Sequence, residues 1–350
     1  MEKDKNGKGR ARGLTRINSY TMSEFYKMER AYSRKVTFDG ISYGFNSLDW
    51  LTFGIKPDDF IVIAARSSMG KTDFLLNIAG NVAGSGSDIS VVIFSMKLSA
   101  QQIHKRFLCC RGELRADHYL MGTIKEMEWP RMVDGAAYLH ETPLFVDDSP
   151  GASLDEVRQK ITAFQSERKI GLVVIDSLQH LSDVKDQSDT SQVAQLSRSI
   201  KSLARELKIP ILASVYVSRS AQSRFDKRPL LEDLEAWEGI TEYADVVGFL
   251  HPENICREVK KENQLFVPII EDLDECEGMA EYANVVGLLH PRKMYNDVED
   301  EKQIFECIIR KNINGGLGKV SLLYEPAFHR FSEVHITDEA SMKTEVRWTV

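Results

Sequence analysis

The chain has 350 residues, 43% hydrophobic and 28% charged, with 45 Lys and Arg against 52 Asp and Glu for a formal net charge of −7. That length leaves room for a substantial core, and one large domain behind a short N-terminal extension is expected. The acidic balance excludes a protein that binds nucleic acid with its whole surface, so any such contact has to come from local patches.

Residues 1–18 mix Lys, Arg, Gly and Asn with few apolar groups, the composition of a disordered basic tail. No signal-peptide h-region and no run of about 18 apolar residues follows, so neither secretion nor membrane spanning is expected. Over 19–36, Tyr20 or Met22, Phe25, Met28 and Tyr32 recur at three- and four-residue spacing. They predict a short helix whose apolar face must dock on its own domain or on a neighbour.

From Gly44 the pattern alternates. The runs "FIVIAARSS", "ISVVIFS", "PLFVDDS", "IGLVVIDS" and "IPILASVYV" read as strands, with helices starting near 71, 100, 154 and 192. Continuous Val- and Ile-rich strands between amphipathic helices predict an α/β fold whose mainly parallel sheet is buried on both faces.

The first strand runs into "AARSSMGKTDFLLNIA", a candidate phosphate loop between a strand and a helix. Gly70 lets backbone approach phosphates, Lys71 reaches β and γ oxygens, and Thr72 can ligate magnesium. Ala65 stands where the strict loop pattern has its first glycine. About a hundred residues on, "GLVVIDS" places Asp176 at a strand end, where a carboxylate can hold the magnesium shell through water. The five cysteines, Cys109, Cys110, Cys256, Cys276 and Cys307, include no C-x-x-C pair. Reduced core residues of a cytoplasmic protein are expected. Trp129 and Trp237 are expected to pack rather than stack on bases.

The last third contains a repeat: "PLLEDLEAWEGITEYADVVGFLHP" at 229–252 recurs as "PIIEDLDECEGMAEYANVVGLLHP" at 268–291, with 15 of 24 positions identical. Two copies in an α/β chain indicate a local tandem duplication, 229–267 and 268–306, and the duplicate is expected to add strands at a sheet edge. The sequence leaves open which copy takes the functional position. Residues 335–350 are expected to be flexible.

Taken together, "GFNSLDWLTFGIKPDDFIVIAARSSMGKT", "IFSMKLSAQQ", "LVVIDSLQ", "SQVAQLSRSIKSLARELKIPILA", "SRSAQSRFDKRP" and "NGGLGKVSL" resemble the C-terminal motor domain of the DnaB-type replicative helicases across roughly 40–332. The resemblance implies a RecA-like domain at 37–334 that assembles as a ring, with ATP between subunits and single-stranded DNA at the centre. It implies that the 19–36 helix is a linker helix docking on a neighbouring RecA-like subunit, in a homo- or hetero-oligomer. The family's N-terminal collar, which engages primase, has no counterpart in these residues. The resemblance further implies that Arg66, Ser67, Ser68, Met69, Gly70, Lys71 and Thr72, with Asp176 and Lys311, hold ATP, and that Thr72 and Asp176 organise Mg2+.

Three departures concern hydrolysis. The family's catalytic glutamate falls on Lys97, and an ammonium cannot accept a proton from water at neutral pH without an extreme shift, though it can pair with a γ-phosphate as a point charge. The family's phosphate-sensing glutamine falls on Tyr216. The arginine finger, worth about three to five orders of magnitude in rate, falls on Ile313. Each reads alone as an ordinary solvated or packing residue; together they predict impaired hydrolysis. Glu113, Asp147 and Asp148 are the acids from which a substitute base would have to come. A DNA-contacting arginine of the family falls on Glu235 and Asp274, where acid weakens phosphate binding. Arg219, Arg224, Lys227 and Arg228 remain candidate phosphate contacts for single-stranded DNA.

Overall fold

The computed structural model describes residues 40–86, 89–186, 189–217, 229–252 and 302–334, together with five positions near the N-terminus. Those five, Thr21, Met22, Phe25, Tyr26 and Glu29, are helical and exposed, which agrees with the expected helix at those positions.

The strands, in chain order, are β1 (Phe60–Ala65), β2 (Ser90–Ser95), β3 (Leu144–Asp147), β4 (Ile170–Asp176), β5 (Ile211–Tyr216), β6 (Val246–Pro252), β7 (Gln303–Asn312), β8 (Gly318–Glu325) and β9 (Arg330–Glu333). They form one sheet in the order β3-β2-β4-β5-β1-β6-β7-β8-β9. From β3 to β6 every pairing is parallel, and β6 to β9 pair antiparallel. The mainly parallel α/β sheet expected from the strand runs is thus present, and its five predicted strands become β1 to β5.

Side chains alternate along β1. Phe60, Val62 and Ala64 join a core under the helices α6 (Leu154–Gln165) and α7 (Thr190–Leu207), while Ile61, Ile63 and Ala65 join a second core with α1 (Asn46–Thr52) and α2 (Lys71–Ala83). A strand buried on both faces must be largely apolar, which is why β1, β2 and β4 carry continuous apolar runs and β5 is interrupted only by Ser214. Helix starts follow local chemistry. Ser99 and Gln102 form a reciprocal cap on α3 (Ala100–Gly112), Ser153 and Glu156 do so on α6, and the Asp189 carboxylate accepts from the Ser191 and Gln192 amides at the start of α7. Between α3 and β3 the chain also forms α4 (Ala116–Met121) and α5 (Trp129–Glu141), which the strand-and-helix alternation did not anticipate.

The first repeat copy supplies a 3-10 segment (Leu231–Gly239), the short α8 (Ile240–Tyr243) and β6. Its strand lies inside the sheet, between β1 and β7. Most of the duplicate lies outside the described residues, but its last four residues, 303–306, open β7, which lies inside the sheet between β6 and β8 and not at the expected edge. Packing explains why the first copy suits the slot. Trp237, Ile240, Asp245 and Phe249 are all buried there, whereas the second copy carries Cys276, Met279, Asn284 and Leu288 at the matching positions. Asp245 accepts from the Phe60 amide at 2.7 Å and from the Lys201 ammonium at 2.6 Å. An amide in its place loses the ionic part of that pairing, and a cysteine in place of Trp237 leaves a void. Trp237 packs as expected; Trp129 differs, standing 51% exposed on α5.

Candidate nucleotide site

Because β1 to β6 run parallel, their carboxyl ends share one edge of the sheet, the edge where open α/β sheets hold ligands. Residues 66–70 leave β1 at this edge and α2 begins at Lys71. Ser67 and Ser68 are exposed and Lys71 is buried. Ser68 at φ 61° and Gly70 at φ 65° both adopt left-handed backbone, which turns the chain sharply into the helix. At Gly70 the space is tight as well: a Cβ would stand 3.1 Å from the Tyr324 ring and 3.2 Å from that of Phe331, so the rings would have to give way by a few tenths of an ångström. The loop therefore rests directly on β8 and β9, and the free N–H groups of the first turn of α2 face it, a concentration of positive potential suited to phosphate.

Thr72 and Asp176 meet. The Thr72 hydroxyl donates to Asp176 Oδ2 at 2.6 Å, and the Ser214 hydroxyl donates to Asp176 Oδ1 at 2.5 Å. This hydroxyl beside a carboxylate is an oxygen donor set that fits a hard divalent cation such as Mg2+. Lys71 donates to the Val215 carbonyl at 3.0 Å, and its ammonium lies 3.2 Å from the centroid of the Tyr216 ring. Tyr216 reaches this place because β5 pairs with β1 in the register Ala65↔Tyr216.

One functional neighbour was missed from sequence. Asp73, in the first turn of α2, is buried and accepts from Arg106 at 2.5 Å, from the Tyr324 hydroxyl at 2.6 Å and from His329 Nδ1 at 3.0 Å. Burial alone pushes its carboxyl up, but the His329 hydrogen bond, Arg106 and the Tyr324 hydroxyl outweigh it and bring the pKa down to about 2. The acid immediately after "GKT" was legible; its partners Tyr324 and His329, about 250 residues away in sequence, were not.

Lys97 is exposed two residues past β2, whose last residue, Ser95, pairs with Asp176. It shares the carboxyl edge, on the far side of β4 and β5 from β1. The three acids considered as substitute bases are held elsewhere. Asp147 pairs with Lys160 at 2.5 Å, Asp148 accepts from the Ala100 amide at 2.8 Å, and Glu113 bonds Arg330 at 2.5 Å.

Lys311 and Ile313 lie at the opposite edge, since Val246, at the start of β6, pairs with both Ile61 and Asn312. The Lys311 ammonium donates to the Thr241 carbonyl at 2.5 Å, and burial lowers its pKa. Ile313 is 62% exposed. Neither sits with the phosphate loop of its own chain, and the finger position, expected to act across a subunit boundary, is turned away from it. Arg219, Arg224, Lys227, Arg228, Asp274 and the side chain of Glu235 lie outside the described residues.

Residues 40–268 and 255–333 match the DnaB-like helicase C terminal domain. Over 240 residues the chain is 36% identical to the replicative DNA helicase DnaC of Bacillus subtilis (strain 168) and 35% identical to the replicative DNA helicase DnaB of Geobacillus stearothermophilus, covering 68% of this chain and 53% of each relative. The chain thus spans about half the length of these relatives. A 343-residue alignment with the replicative DNA helicase DnaB of Helicobacter pylori (strain ATCC 700392 / 26695), at 30% identity, covers 97% of this chain and 68% of that one. Among solved structures, the ATPase domain of G40P superposes with a TM-score of 0.74 at 25% identity, covering 92% of this chain and all of that one. A DnaB-like replicative helicase described with its interactions with primase gives 0.71 at 25% identity, covering 92% and 68%.

Proposed function

The chain belongs to the family of DnaB-like helicase C terminal domains, and from that premise we propose that it binds ATP and Mg2+ at residues 66–72 and Asp176 as a subunit of a replicative helicase assembly, with hydrolysis impaired. The observation that carries this reading is the pairing of Thr72 with Asp176 beside a buried Lys71, an assembled phosphate and cation cradle. Around that cradle, the position from which a general base would act is held by the cation Lys97. The position of a phosphate-sensing amide holds Tyr216, and the position of a finger reaching a neighbour's nucleotide holds Ile313. Ile313 stands exposed at the edge away from its own loop, where only another subunit's nucleotide can meet it, and an alkyl chain offers a developing phosphoryl charge no stabilisation.

Assembly with RecA-like neighbours is supported by two exposed apolar surfaces. Met22, Phe25 and Tyr26 stand on the N-terminal helical positions, and Leu120, Met121, Met127, Trp129 and Val133 form a second group around α4 and α5. Large apolar side chains left exposed in such number mark an interaction surface. Single-stranded DNA binding, weakened by acid at the family's contact positions, belongs to the same reading, as does a structural or regulatory role beside an active motor.

The second reading is an active ATP-driven helicase translocating on single-stranded DNA, favoured by the 36% identity to a replicative helicase. One experiment separates them: ATP binding and phosphate release measured on the same sample, with and without single-stranded DNA. Binding without turnover supports the first reading. Turnover in the usual enzyme range of about 1 to 1000 per second, abolished by Lys71→Ala, establishes the second.

A further inference from the structure

The contact between Lys71 and Tyr216 has a consequence for how nucleotide enters. The ammonium that must reach the β and γ oxygens is held in two ways, by the Val215 carbonyl at 3.0 Å and by the face of the Tyr216 ring at 3.2 Å from its centroid. An aromatic face carries negative charge density and attracts a cation most strongly where water is excluded, as it is around the buried Lys71. The ring is itself fixed. Its backbone is registered against Ala65 of β1. The ring also meets that of His180 edge to face, with centroids 6.2 Å apart and planes at 71°, and His180 Nδ1 lies 2.7 Å from the Ser177 hydroxyl, next to Asp176. A phosphate that is to pair with Lys71 has to draw the ammonium off this ring.

We propose that Tyr216 is a positioning residue that holds the Lys71 ammonium away from the phosphate path, competes with nucleotide for it, and so sets the protein's affinity for ATP and ADP. This deepens the nucleotide-site reading above and rests on it. The group that competes is the ring, not the hydroxyl, so Tyr216→Phe keeps the effect and Tyr216→Leu removes it.

The test compares parent, Tyr216→Phe and Tyr216→Leu in the full chain by titration with Mg-ATP and with Mg-ADP. Tyr216→Leu is expected to bind both nucleotides about 2- to 30-fold more tightly, the range that one desolvated cation–π contact supports, with Tyr216→Phe within about 2-fold of the parent. A second readout needs no nucleotide: the rate at which acetic anhydride acylates Lys71, followed by peptide mass spectrometry. A cation held on a ring is slow to expose a neutral amine, so Lys71 is expected to react faster in Tyr216→Leu and at the parental rate in Tyr216→Phe. Tyr216→Met serves in place of the leucine variant if the latter melts early. Unchanged or weaker nucleotide binding in a folded Tyr216→Leu, or a phenylalanine variant that behaves like leucine, overturns the proposal. If the parent binds no nucleotide at all, the nucleotide reading fails, and an acylation rate that also stays unchanged removes the lysine contact with it.

Discussion

The Tyr324 hydroxyl, on a strand near the end of the described chain, donates to the Asp73 carboxylate at 2.6 Å, in the first turn of the helix that follows the phosphate loop. The last strands of the sheet thereby brace the loop from below. Asp73 also holds Arg106 and His329, so removing its charge leaves a half-buried guanidinium without its counter-charge. Asp73→Asn is expected to cost about 3 kcal/mol of stability at pH 7 by chemical denaturation. The pH dependence has a definite sign. The folded carboxyl titrates near 2, below its ordinary 3.8, so its stabilisation is present above about pH 4 and fades as pH falls toward 2. The asparagine variant is expected to lack that part of the acid limb.

Asp59 works in the opposite direction. Burial, with Asp245 adding to it, pushes its carboxyl from 3.8 up to about 6. Between those values the native state binds more protons than the unfolded chain, so unfolding free energy falls as pH rises from about 4 to 6. Thermal melts of Asp59→Asn across that interval are expected to show a flatter profile than the parent. An unchanged slope would place the titration elsewhere.

Two deletions of 39 residues test why the first repeat copy holds the β6 slot. Removing 268–306 leaves Trp237, Asp245 and Phe249 in place and joins Val267 to Cys307, so that QLFV of 264–267 replaces the QIFE that opens β7. Loop length enters closure entropy only logarithmically, and a shift of about 1 kcal/mol is expected, chiefly from exchanging the buried Glu306 for a valine. Removing 229–267 forces Cys276, Asn284 and Leu288 into their places. The void left by the tryptophan alone is expected to cost about 3 kcal/mol. Equal stability of the two deletions in urea would show that the slot does not discriminate.

Lys97→Glu restores the residue type of a general base but leaves Ile313 unable to stabilise phosphoryl charge. Phosphate release by this single variant is expected to stay at the parental level. Robust turnover would show that the finger position is dispensable.

Charge placed in the exposed apolar group around α4 and α5 tests assembly. Met121→Asp with Val133→Asp is expected to lower the solution mass measured by light scattering. Both side chains are exposed, 75% and 59%, so the melting temperature of the protomer should change little.

Much of this was legible in the chain because parallel strands buried on both faces leave an unmistakable apolar signature: the five runs read from sequence became β1 to β5, and the four helices start at or near the positions read. The phosphate loop was legible because a strand, "GKT" and a helix stand in immediate succession. Relations between distant residues were not legible. Nothing in "ILASVYV" says that Tyr216 will lie under Lys71, since that depends on β5 becoming the neighbour of β1. Asp73 could be read as an acid near a helix start, but its partners Tyr324 and His329 come from strands whose order in the sheet no local pattern specifies. Ile313 was read as the position that reaches a neighbour's nucleotide, and the antiparallel return of β7, which no local pattern specifies, is what puts it and Lys311 at the edge away from their own loop.

The pairing of β6 with β7 runs in register from Val246↔Asn312 to Pro252↔Phe305, with one irregularity at Val247 and Gly248. The chain between Pro252 and Gln303 needs only to begin and end at neighbouring points. Each doubling of such a connection costs only about 0.6 kcal/mol, so a hairpin is a cheap place to accept a copied stretch of gene. The sheet has one opening for this strand and the chain carries two sequences for it, so packing disciplines one copy at a time. The other already carries, at Cys276, Met279, Asn284 and Leu288, changes that the occupied slot would reject.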